Sequence, residues 1–209
     1  MPVPDLSNIA NNEAQIVNAI GEESVQVYRF ISQQYAAGSI LNNSVFQFVY
    51  RSFYRIDNAG LTPDFKRRYF ELLEGERNAA NIDLALITQE LYQLPNLRGQ
   101  NSLQFSFATK LANTVNSANP IYDSEVASVF HFRRPSNDLT FEERLAAFVN
   151  FYETLRAIYG EIIRENILAS TRALFRGTYD QGQQPISDTK ILDFVFWKAG
   201  KLGFLAGRP

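Results

Sequence analysis

Lys110 stands in the run Phe107-Ala108-Thr109-Lys110-Leu111-Ala112, with apolar neighbours at helical spacing. Such surroundings strip water from an ammonium, which lowers its pKa and favours the neutral, nucleophilic amine. A polar turn and Pro120 separate this lysine from Asp123. Proline holds the residue before it extended, and Asp123 and Ser124 are both good N-caps for a helix carrying Val126, Val129 and Phe130. The same residues also admit plainer roles. Asp123 fits a helix cap without chemistry, and Lys110 fits a helix lysine whose stem covers apolar surface. Few other residues compete as reactive groups. The chain has no cysteine, which excludes a thiolate zinc site, an iron–sulfur cluster and a cysteine nucleophile. His131 is the only histidine, so a multi-histidine metal site within one chain is excluded as well. Phosphate-loop, dinucleotide-binding, zinc-protease and nucleophile-elbow motifs are absent, and no cofactor is expected.

The segment 103–132 resembles the helix-hairpin-helix DNA glycosylase superfamily, the group containing endonuclease III and the 8-oxoguanine glycosylases. Lys110-Leu111-Ala112-Asn113 matches the Lys-x-Ala-Asn start of the family's post-hairpin helix, and Pro120-Ile121-Tyr122-Asp123-Ser124 matches its aspartate segment. The resemblance implies a two-lobed helical fold in which Lys110 attacks the sugar C1′ as a Schiff-base nucleophile. Asp123 would stabilise the developing cationic sugar and handle protons. Damaged DNA is the implied partner, with the target base flipped from the stack. Two departures from the family pattern stand out. The hairpin glycines, whose amides hold a DNA phosphate, are replaced at the aligned positions by Ser106 and Ala108. The spacing from Lys110 to Asp123 is also several residues shorter than usual. A hairpin needing positive φ disfavours both substitutions, so a weakened or reshaped phosphate site is expected between Phe105 and Lys110. Ser106, Arg133 and Arg134 are the replacement DNA contacts expected there. The departures also leave open a reading from another class, a non-enzymatic interaction domain that keeps the fold without repair activity.

The elements that must position these residues are helical. Val45, Val49, Phe53 and Ile56 form one stripe and Phe46, Tyr50 and Tyr54 another, predicting a helix buried on more than one side. Thr62-Pro63-Asp64 opens a helix toward Glu74, with Gly75 as its stop, and a further helix from Ile82 to Tyr92 precedes Pro95. Thr140 and Glu143 have capping-box spacing and introduce a long helix through Ile162 that either breaks at Gly160 or runs on toward Leu174. Residues 177–185 are turn-like, and Ser187-Asp188 caps a last helix in which Phe194, Phe196 and Trp197 anchor the body. Arg172 and Arg176 line one helical face, and Lys66-Arg67-Arg68 forms a polar one. His131, Arg133 and Arg134 gather at a helix C-terminus, which favours cations regardless of any ligand. Phe105, Phe107 and Trp197 are candidates for stacking on an extruded base, although phenylalanines at this spacing are usually core.

The expected architecture is all-α: one unit over residues 1–209, with two lobes meeting at a cleft near residues 105–125. Seventeen phenylalanines and ten tyrosines supply the apolar surface for a sizeable core. Twenty basic against 22 acidic residues give a net charge of −2, so no global field draws the chain onto nucleic acid. The first residues carry neither early positive charge nor an apolar core, and no apolar run reaches about 18 residues. A cytoplasmic protein without membrane contact is therefore expected.

Overall fold

The computed structural model describes residues 3–207. Among them are eleven α-helices, one 3-10 turn and no strand, the single β-bridge joining Leu61 to Asn96. The fold is all-α. In chain order the helices are α1 (Ser7–Asn11), α2 (Glu13–Ile20), α3 (Glu22–Ala37), α4 (Ser44–Phe53), α5 (Pro63–Gly75) and α6 (Leu84–Tyr92). After them come α7 (Phe105–Val115), α8 (Ser124–Val129), α9 (Phe141–Arg164), α10 (Ala169–Tyr179) and α11 (Asp188–Leu202). No helix among the described residues is long and apolar enough to cross a membrane.

Caps fix several helix starts. The Thr62 side chain accepts from the Phe65 amide with Pro63 in the first turn, and Ser187 accepts from the Lys190 amide. Thr140 and Glu143 close a reciprocal capping box. Asp83, rather than Ile82, marks the start of α6, because its carboxylate accepts from the Leu86 amide.

Other expectations are corrected. Helix α9 passes through Gly160 and ends at Arg164. The break falls at Asn166 and Leu168, both with left-handed φ, before α10 begins. Helix α10 continues through Gly177 to Tyr179, so the turn after it is shorter than composition suggests. Helix α4 buries one face only. Phe46 and Tyr50 point inward, followed by Tyr54, whereas Val45 is 61% and Phe48 62% exposed. The stripe of Val45, Val49, Phe53 and Ile56 is covered unevenly: Val45 is bare, Val49 and Phe53 are half-buried against the core, and Ile56 is fully buried.

One continuous apolar core runs through the fold. Helix α11 packs on α2, α8, α9 and α10, while α7 packs on α5 and α6. Close approach of α11 to α8 depends on Gly200. A Cβ there would lie 2.4 Å from the Glu125 carbonyl oxygen, a backbone atom that cannot rotate away. Because α8 begins beside Asp123, the crossing also sets where that carboxylate stands. Gly200→Ala is expected to lower stability by about 1–3 kcal/mol through overpacking. Urea unfolding measures this, and an unchanged midpoint would mean that the crossing tolerates a methyl group.

Candidate active site

Two elements bring Lys110 and Asp123 together. Lys110 lies on α7, amid the buried Phe107, Leu111 and Ala112. Asp123 ends an extended arm, residues 119–123, that α7 and α11 hold down. The Asn113 amide donates to the Asn119 carbonyl at 2.7 Å, and the Tyr122 N–H donates to the Thr109 hydroxyl at 3.1 Å. From α11, the Asp193 carboxylate accepts the Ile121 N–H at 2.9 Å. At the end of this arm Asp123 caps α8, accepting the Glu125 N–H at 3.0 Å, while its other oxygen stands 3.9 Å from the Lys110 amine. Capping and facing the amine are therefore compatible roles for one carboxylate.

The Lys110 side chain is buried rather than surface-lying. Its amine donates to the Tyr54 carbonyl at 3.4 Å and sits 5.0 Å from the centre of the Phe107 ring. Burial is the dominant influence and pulls its pKa down to about 8. Asp123 opposes the shift, and the cations Lys190 and Arg55 add to it. Desolvation outweighs the attraction of Asp123, because the carboxylate lies beyond hydrogen-bond distance.

The amine opens into a cleft of about 510 Å³ lined by α3, α4, α7, α8 and α11. Phe107, Phe194 and Trp197 form part of its wall, and Arg55, Lys201, Lys190 and Asp193 also face it. A second hollow of about 250 Å³ shares Ser106, Asp123 and Ser124 with the first and adds Arg134 and Phe132. Of the expected DNA contacts, the structure thus groups Ser106 and Arg134 with Asp123. Arg133 is exposed and lines neither hollow. Phe105 is core, whereas Trp197 is partly buried, packing against the core and also facing the cleft.

The segment expected to carry a reshaped hairpin is helix. Ser106 and Ala108 lie inside α7, and neither has positive φ, so the glycine requirement that made these substitutions unfavourable does not arise. His131 does adopt positive φ, and its ring Nε2 pairs with the Ala206 carbonyl at 2.7 Å, which ties the C-terminal tail rather than a ligand.

Sequence reasoning did not single out Lys190, Asp193 or Arg55, and Asn113 entered only as part of the Lys-x-Ala-Asn match. Lys190 and Asp193 share a helical face with Phe194 and Trp197, and that spacing is the signal that was there to find. Asp193 is fully enclosed, and burial pushes its carboxyl up to about 6 against the pull of Lys190, the Ile121 amide and the Tyr159 hydroxyl. Lys190, its neighbour at 3.6 Å, is pushed down by the same burial. No cluster of three or more histidine, aspartate or glutamate side chains suited to a metal ion occurs among the described residues. Comparison with family models, with curated proteins and with solved structures finds no match to this chain.

Asp193→Ala removes the acceptor for Ile121, Tyr159 and Asn113 and leaves Lys190 without its counterion. Breaking a buried pair in this way costs about 3–5 kcal/mol. Urea unfolding of this variant is expected to show a loss of that size. A loss under about 1 kcal/mol would mean that the arm is held by its other contacts.

Proposed function

We propose that this chain is a divergent DNA glycosylase/lyase of the helix-hairpin-helix kind, acting on a flipped, damaged base. The observation that carries the reading is the Lys110 amine, depressed to about 8 and held 3.9 Å from Asp123 at the wall of an open cleft. A closed core around either side chain would favour the interaction-domain reading, and the open cleft weighs against it. The cleft's volume falls within the range of small-molecule sites.

In this mechanism the neutral Lys110 amine bonds through its nitrogen to the sugar C1′, and the ammonium so formed gives a proton to Asp123. The glycosidic C1′–N bond breaks, its electron pair leaves with the base, and the base takes up the proton that Asp123 holds. Positive charge on the sugar develops beside the carboxylate, which stabilises it. The nitrogen's electron pair then forms C=N as the C1′–O4′ bond breaks, its pair going to O4′, which takes a proton from water. Borohydride reduces the resulting protonated Schiff base on Lys110 to a stable secondary amine.

Borohydride is therefore expected to trap an adduct between the protein and an abasic duplex, and Lys110→Gln to abolish it. Asp123→Asn is expected to slow adduct formation by about a hundredfold or more while leaving binding nearly intact. Equal trapping by Lys110→Gln removes the assignment. Below about pH 8 the ammonium dominates, so the trapping rate should fall about tenfold per pH unit there and level off above it. A rate still climbing at pH 10 would place the nucleophile's pKa at that of an ordinary, solvated lysine.

Contacts to phosphate give a separate measurement. Each phosphate neutralised adds about 0.9 to the slope of log affinity against log salt. Arg134→Gln, in the second hollow, is expected to lower that slope by about 0.9 on duplex DNA. Arg133→Gln, outside both hollows, is expected to leave it unchanged, and the reverse pattern would exchange their roles.

A further inference from the structure

Lys190 lies at the inner part of the cleft, on α11, and is only 3% exposed. Its apparent partner, Asp193, is already supplied with donors. The carboxylate accepts the Ile121 N–H at 2.9 Å, the Tyr159 hydroxyl at 3.3 Å and the Asn113 amide at 3.3 Å. Lys190 Nζ stands 3.6 Å away, too far for a good hydrogen bond. The rings of Tyr28 and Phe194, with centroids 4.9 and 5.0 Å from Nζ, favour a cation but accept no strong N–H bond. In either protonation state the amine keeps at least two N–H donors. Such donors, withdrawn from water and aimed at a cavity, are costly until an acceptor meets them.

We infer that Lys190 is a specificity-determining donor. The cleft then takes a planar heterocycle whose inner edge presents a carbonyl oxygen, in preference to one presenting an amino group. The inference rests on reading the cleft as the pocket of an extruded base. An amino group in the same place would set donor against donor. Asp193 offers it little relief, since Ile121, Tyr159 and Asn113 donate to three of the roughly four acceptor positions, Lys190 stands 3.6 Å from Oδ2, and the carboxylate is almost fully buried. The partly buried Trp197 supplies an adjacent aromatic surface, and Lys110 faces the same space.

Trp197 is the only tryptophan of the chain, so its fluorescence reports directly on this cleft. Inosine and adenosine serve as ligands, since their bases differ at the 6-position, carbonyl against amino, and in the N1 proton. Inosine is expected to quench Trp197 with at least tenfold higher affinity than adenosine. In Lys190→Met, checked for folding by circular dichroism, the two affinities should converge within twofold. Equal affinities, a preference for adenosine, no quenching by either nucleoside, or an inosine preference that survives in Lys190→Met would each overturn the inference. The comparison on the unaltered protein stands as a test even if the variant fails to fold. Borohydride trapping on an abasic duplex involves no base and reads Lys110 and Asp123, so it fails or succeeds independently of this result.

Discussion

A single buried carboxylate, Asp193, joins the parts of the molecule that carry Lys110 and Asp123. Helix α11 supplies it, α7 meets it through Asn113, α9 through Tyr159, and the Asp123 arm through the Ile121 amide. A carboxylate taken out of water is costly unless hydrogen-bond donors replace the solvent. Three donors converge here because three separate elements must be pinned to one point. The arm in particular has no helical ladder of its own. Past Pro120, the N–H groups of Ile121 and Tyr122 find their partners in Asp193 and Thr109, so its path depends on them. Asp123 therefore stands beside Lys110 because both elements are fixed to the same helix, not because the two charges attract strongly.

A second polar chain braces α7 from the opposite side. The Tyr69 hydroxyl donates to the Phe107 carbonyl at 3.0 Å and pairs with the Tyr50 hydroxyl at 2.9 Å. Tyr50 in turn meets the Thr114 hydroxyl at 3.0 Å, and Thr114 donates to the Lys110 carbonyl at 2.8 Å. The backbone on both sides of Lys110 is thus held by neutral hydroxyls. None of them brings a negative charge near the amine, so burial keeps the upper hand over its pKa. A carboxylate in place of any of these hydroxyls would push that balance back toward the ammonium. The aromatic interior thereby contributes to stability and leaves a lysine with an unusually accessible neutral form.

Features set by short-range chemistry were legible in the sequence. The caps at Thr62, Thr140, Ser187 and Asp123 all follow from a few adjacent residues, whereas the expectation that Lys110 meets Asp123 comes from the family resemblance. What escaped was set by distant contacts. Helices α1 to α3 went unread, although Ile9, Ile16, Ile20, Val25 and Ile31 are core residues. Val45 and Phe48 look as apolar as Phe46 and Tyr50, and only the absence of a covering helix separates the two faces. Gly160 failed to stop α9 because a lone glycine weakens a helix without ending it. Lys190 and Asp193 looked like ordinary polar positions because the donors that single them out lie far away in the chain, on α7, α9 and the arm.

The net charge of −2 is a poor guide to the field at the cleft. Many cations are matched locally: Arg172 and Arg176 to Asp188, Arg51 and Lys66 to Asp57, Arg68 to Glu71 and Glu90. These pairs cancel at short range and leave little potential beyond a Debye length of about 8–10 Å. Among the described residues, the cations without an ion-pair partner include Arg55, Arg134 and Lys201, all of which face the cleft or the adjoining hollow. Arg55 is exposed and holds positive φ, a backbone state that an arginine adopts at some cost in energy. The cleft also holds three carboxylates, with Asp193 buried, Asp123 turned toward Lys110 and Glu125 half-buried on the wall. A chain that is acidic overall thus places Arg55 and Lys201 beside Glu125 around a desolvated amine. The field at the cleft is therefore set by these few neighbouring charges, and the net charge of the chain does not describe it.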